Sequence, residues 1–224
     1  MIDKNMSKTI KNSAFVRAVF VYSVIVLATL SVYLPVRNFD FVVYDDDKYV
    51  FNNSRVKEGL TFKNVLWSLT ATEASNWHPL TWISHMIDIQ VFGMNAGGHH
   101  LTSVGFHILN TVLLLVWLNT MTGEFWKSSF VAALFALHPL HVESVAWIAE
   151  RKDVLCTFFC FLALLSYTRY CQKKKPPAVF IIPVFLYLCP YGQTHGRHIT
   201  FCFSHPGLLA IKKISRSVFY NPGS

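Results

Sequence analysis

Apolar residues arrive in long unbroken runs, separated by short stretches rich in charges and turn formers. Ala18–Leu34 is continuous and long enough to cross a hydrocarbon core. Leu101–Leu118 forms a second run, carrying His107 and Asn110, three residues apart and hence on one helical face. Inter-helix hydrogen bonding is the expected use of that pair. A third run starts at Ser128 and enters His138-Pro139-Leu140-His141, where proline breaks or kinks a helix. The fourth covers Val154–Tyr170, and a fifth, Ala178–Cys189, is too short to span.

The flanks orient these runs. Lys4, Lys8, Lys11 and Arg17 precede the first, and Lys173–Pro177 (KKKPP) follows the fourth. Basic flanks mark cytoplasmic ends, so the N-terminus and residues 121–127 and 173–175 are expected inside, with 44–100 and 141–153 outside. The first run lacks a small-residue cleavage site, so it reads as a signal anchor. The fold class expected is all-α: a polytopic helical membrane protein with an extracytoplasmic loop containing an amphipathic interfacial helix. Residues 1–17 form a cytoplasmic N-terminus. Residues 18–188 form a membrane domain, with a large loop at 35–100 and a short one at 141–153.

Within the large loop, Asn76–Gly93 has helical periodicity. Leu80, Ile83, Ile87 and Val91 fall on one face, with Trp82, Met86 and Ile89 beside it, and Thr81, Ser84, His85 and Asp88 fall opposite. The tryptophans suit a helix in the membrane interface, although the same period would serve a surface helix of a soluble domain.

Composition agrees with the pattern. The chain has 224 residues, 53% hydrophobic and only 14% charged, with mean hydropathy +0.37. The net charge of +8 lies entirely beyond residue 153, because residues 1–153 hold twelve acids against twelve Lys/Arg. That is a membrane flank and a tail, so no nucleic-acid partner is expected. The five cysteines have neither paired spacing nor a zinc pattern, so no disulfide is expected.

Two acidic clusters stand out. Asp45, Asp46 and Asp47 follow the first run closely; alone they read as a solvated turn. The second, Glu143, Glu150, Arg151, Lys152 and Asp153, lies between two apolar runs, where charges are costly unless paired or facing water. Topology puts both clusters on one side, as walls of one site. Arg151 and Lys152 run against the positive-inside trend, which asks for a local reason.

Tyr44–Asp46 (YDD), Asn76–Asp88 (NWHPLTWISHMID), Gly98–Thr111 (GHHLTSVGFHILNT) and His138–Leu155 (HPLHVESVAWIAERKDVL) together resemble one family. It is the N-terminal membrane region of prokaryotic transmembrane proteins with tetratricopeptide repeats. That region is similar to the transmembrane and TPR-repeat-containing O-mannosyltransferases, of the GT-C glycosyltransferase class. The resemblance covers Phe41–Tyr170. It implies transfer of a sugar from a polyprenyl-phosphate donor to a protein hydroxyl on the extracytoplasmic side of a bacterial or archaeal plasma membrane. It places catalytic carboxylates at Asp45 and Asp46. A second acidic motif or donor-phosphate site falls on Glu143, Glu150, Arg151, Lys152 and Asp153, with a divalent metal ion as a candidate cofactor. His138 and His141 would give polar support; their spacing is not that of HExxH zinc proteases. A non-enzymatic membrane anchor or assembly module is the alternative.

The family continues through further spans into repeats, so this chain reads as a truncated member. After Leu188 the patterning changes. Codons exist for Tyr191–Lys213 whose next-frame translation is MAKPMVVTLPFVFLILDYWPLKK, a string that resembles the family's next helix and its following loop. Residues 189–224 are therefore expected to be an out-of-frame tail, and the chain a fragment whose activity alone is doubtful.

Overall fold

A computed structural model describes residues 4–73 and 77–173; the expected tail at 189–224 lies outside the described residues. Eight α-helices appear in that part: α1 Lys4–Tyr33, α2 Ser54–Lys57, α3 Phe62–Thr70, α4 Pro79–Phe92, α5 Ala96–Thr122, α6 Phe125–Leu137, α7 Val142–Ala146 and α8 Arg151–Lys173. Among the described residues there is no strand. Three segments there are long and apolar enough to cross a membrane: Asn12–Asn38, Ala96–Thr122 and Ile148–Gln172. Helix α6 and Pro139–Ala146, bent by 51° to one another, pass the same test only when taken together, as a broken span or a re-entrant loop. The chain is thus an all-α, multi-pass membrane protein.

Local chemistry sets the boundaries. Pro35 converts the end of the first span into a 3₁₀ turn, Leu34–Asn38. Asn53 caps α2, its side-chain oxygen accepting the Arg55 and Val56 N–H groups at 3.1 and 3.2 Å. Thr61 caps α3 in the same way through Asn64 N–H. Pro79 opens α4, and Gly93, at φ 61°, closes it in a conformation glycine tolerates best.

The expected turn at Asn95–His100 is instead the first turn of α5. Glycine is the reason: a Cβ on Gly97 would strike the Arg37 carbonyl, and one on Gly98 would strike the Phe92 ring. With only hydrogen there, α5 slots against the end of the first span. It then packs on α1, α4, α6, α7 and α8. His107 and Asn110 bridge helices as expected: His107 Nε2 donates to the Ala136 carbonyl at 3.1 Å and Asn110 to the Val154 carbonyl at 2.8 Å.

Three apolar clusters hold the molecule together. Ile25, Leu115, Ala132 and Ala136 lie in the span bundle. Tyr33, Val36, Val104, Val145 and Val154 lie near its loop end. Tyr49, Val50, Val56, Trp82, Met86, Ala96, Ile148 and Ala149 bind the large loop to the short one. One expectation is corrected: Cys156 is disulfide-bonded.

The amphipathic helix forms, with its polar side inward. Thr81, His85 and Asp88 are buried with Trp82 and Met86, while Ile87 and Val91 face out. An apolar stripe turned outward suits contact with lipid.

Candidate functional site

The large and short loops meet at one end of the bundle, and Asp46 is where they are tied. Its carboxylate is fully buried. Oδ2 accepts the Val42 N–H at 2.9 Å, and Oδ1 accepts the Ala149 N–H at 2.9 Å. Burial pushes the Asp46 carboxyl above its ordinary pKa, against the opposing pull of these two N–H groups. Asp45 is different. It is one-third exposed and pairs with Lys48 at 3.0 Å. Asp47 opens the π-helical turn Asp47–Phe51.

Tyr49, in that turn, sits between the two acidic clusters. Its ring stacks on Trp82 and His78, at centroid distances of 5.0 and 5.2 Å. Lys152 Nζ lies over it at 5.7 Å. Burial, then the charges of Glu150 and Asp45, push the phenol pKa up. Lys152 also pairs with Glu150 at 2.6 Å. His78 is buried, and desolvation followed by the Lys152 charge lowers its pKa to about 4.

Arg151 lies deeper. It is fully buried and bonds the Asp88 carboxylate and the His99 carbonyl, with Ser84 and Ser103 hydroxyls at 3.3 Å. The Arg151 charge is thus neutralised inside the protein, a local reason for its position whichever side it lies on. Asp153 accepts the Ser144 hydroxyl at 3.0 Å, tying α8 to α7, and Glu143 is exposed. His138 caps the turn after α6, its Nδ1 accepting the Leu140 N–H at 3.3 Å. His141 packs against Phe135 with the rings tilted by 49° and their centroids 4.5 Å apart.

The structure therefore gathers Asp45, Asp46, Glu150 and Lys152 around Tyr49 and the Trp147–Ala149 turn. It keeps Arg151 beneath them and gives His138 and His141 packing and capping roles. The acids of the two loops do not converge as a metal set; among the described residues the grouping with ligand spacing is His85, Asp88 and His99. Asp88, His99 and Tyr49 were not singled out from sequence. A buried arginine that needs a counter-charge was the signal pointing to Asp88.

The chain is similar to protein O-mannosyl-transferases. Protein O-mannosyl-transferase TMTC1 of Mus musculus is 35% identical over 136 residues, 57% of this chain and 14% of its own length. TMTC1 of Homo sapiens is 33% identical over 158 residues, 65% of this chain and 18% of its own. TMTC2 of Mus musculus is 28% identical over 152 residues, again 65% and 18%. The chain thus spans less than a fifth of the length of these relatives. These are animal proteins, whereas the motif resemblance pointed to prokaryotic ones. No family model and no solved structure matches the chain.

Proposed function

We propose that this segment forms part of a membrane glycosyltransferase that moves a sugar, mannose by analogy with its relatives, from a polyprenyl-phosphate donor to a protein hydroxyl. The reaction would take place on the extracytoplasmic face, in a bacterial or archaeal plasma membrane if the motif resemblance holds. The observation that carries the reading is the Asp46–Ala149 bond, which ties the loop that bears Asp45 to the one that bears Lys152, whose Nζ lies over the Tyr49 ring.

The two carboxylates then divide the work. Asp45, partly exposed, takes the proton of the acceptor hydroxyl as its oxygen attacks the anomeric carbon. The bond from that carbon to the donor phosphate breaks, and its electron pair leaves with the phosphate. Lys152, released from Glu150, meets the developing charge. Asp46 positions the loops and Arg151 supports them from beneath. Glu143 and Asp153 border the short-loop side.

The test is sugar transfer from polyprenyl-phosphate donor to acceptor peptide, in membranes carrying the protein at its full natural length. Asp45→Asn should lower turnover by about 10²–10⁴. Unchanged turnover would remove the base and favour the anchor reading. That reading draws on one observation, that Asp46, Arg151 and His138 are all occupied by internal bonds.

A further inference from the structure

His85 and Asp88 lie three residues apart on α4 and share a face; His99 comes from the first turn of α5. All three are buried, and one ligand atom from each lies within 4.8 Å of the others. Neither ring nitrogen of His85 has a hydrogen-bond partner. A buried imidazole in that condition is unusual, because each nitrogen has lost water and gained nothing.

His99 supplies a second sign. Its Nε2 lies 3.0 Å from the Gly93 carbonyl, which can only accept, so the proton is on Nε2. Nδ1 then presents a lone pair, 3.5 Å from Asp88 Oδ2 and unbonded. A lone pair facing a carboxylate oxygen is repulsive unless a metal ion, or a second proton on the ring, lies between them. Histidines that ligate metals characteristically donate their other N–H to a carbonyl or carboxylate. Asp88 is oriented similarly: Oδ1 accepts the Thr102 hydroxyl at 2.9 Å and Oδ2 accepts Arg151, leaving lone-pair directions free on both oxygens.

We propose that His85, Asp88 and His99 bind one transition-metal ion of the zinc class. Two neutral imidazoles and one carboxylate suit zinc, not magnesium or calcium, and three protein ligands leave a fourth position for water. Ligand bonds of about 2.0–2.2 Å require the atoms to draw in from their present spacing. Arg151 acts as an outer partner of Asp88, being held also by the His99 carbonyl and two hydroxyls. Its charge opposes the ion, so the site binds more weakly and exchanges more readily than an all-cysteine structural site. The proposal is independent of sugar transfer.

The experiment titrates Zn²⁺ into tag-free, chelator-stripped protein in detergent, following heat and bound metal. One saturable equivalent is expected, lost in both His85→Gln and His99→Gln and not displaced by excess Mg²⁺. Absence of saturable binding, or unchanged binding in a folded His85→Gln, overturns the site. Should the variants fail to fold, zinc-edge X-ray absorption on the loaded wild type decides. Two imidazoles in the first coordination sphere support the site; one or none overturns it.

Discussion

Replacing Arg151 by Met gives the sharpest test of what holds the two loops together. The guanidinium is completely buried and serves Asp88, the His99 carbonyl, Ser84 and Ser103 at once. Methionine fills similar space but leaves the Asp88 charge, itself 3% exposed, without its cation. Breaking a buried pair from one side costs about 3–5 kcal/mol. For a chain of this length the midpoint of thermal unfolding falls by roughly 2–4 °C per kcal/mol, so a drop of roughly 6–20 °C is expected. The assay is loss of the monodisperse peak on heating in detergent, with chelator present so that metal does not contribute. Adding Asp88→Asn should restore more than half the loss, because the amide still accepts the Thr102 hydroxyl but carries no charge. Arg151→Lys should fall between, since an ammonium cannot reproduce the planar fork. An Arg151→Met midpoint within about 1 kcal/mol of wild type, or a double variant less stable than the single, would refute the reasoning.

Three further outcomes follow from the same geometry. His78, held neutral with a pKa of about 4, binds fewer protons folded than unfolded between pH 6.5 and 4. Wild type should therefore lose up to about 3 kcal/mol across that window, and His78→Phe, which keeps the stack on Tyr49, should lose that much less on acidification. Asp46→Asn should cost about 1–3 kcal/mol, read by thermal unfolding, because each oxygen serves a different N–H and an amide must turn its NH₂ toward one of them. Gly97→Ala should lower the unfolding midpoint through its clash with the Arg37 backbone. Gly105→Ala, with open space around it, should raise stability by about 0.4–1 kcal/mol; equal effects at the two positions would contradict the packing at the start of α5.

The spans were legible because bilayer-length apolar runs leave little choice of conformation. Their ends were less so. Ala96–His100 looks like a turn by composition, and only the close approach of Arg37 and Phe92 explains why two glycines sit in a helix. The face of α4 misleads for a related reason. Among soluble helices the polar side meets water, but here Thr81, His85 and Asp88 turn into the protein, and Ile87 and Val91 turn away. The adjacent aspartates were visible as a motif, yet sequence could not divide them, because burial of one and exposure of the other comes from where Ala149 lies. Arg151 carried a legible anomaly, a charge between two apolar runs, and its resolution needed a partner 63 positions away.

The Asp46–Ala149 bond joins residues 103 positions apart, and this sets a schedule for biosynthesis. At about 5–20 residues per second, the ribosome needs roughly 5–20 s after making Asp46 before the 3₁₀ turn that receives it exists. Throughout that interval the nascent first loop holds a carboxylate designed for a dry pocket but still bathed in water. Translation must pass the second and third apolar runs before the loop can close. Completion of the clasp thus reports that the segment through Ala149 has been delivered to the same side, and an arrested or mis-inserted chain would present an open loop to the cell's proteases.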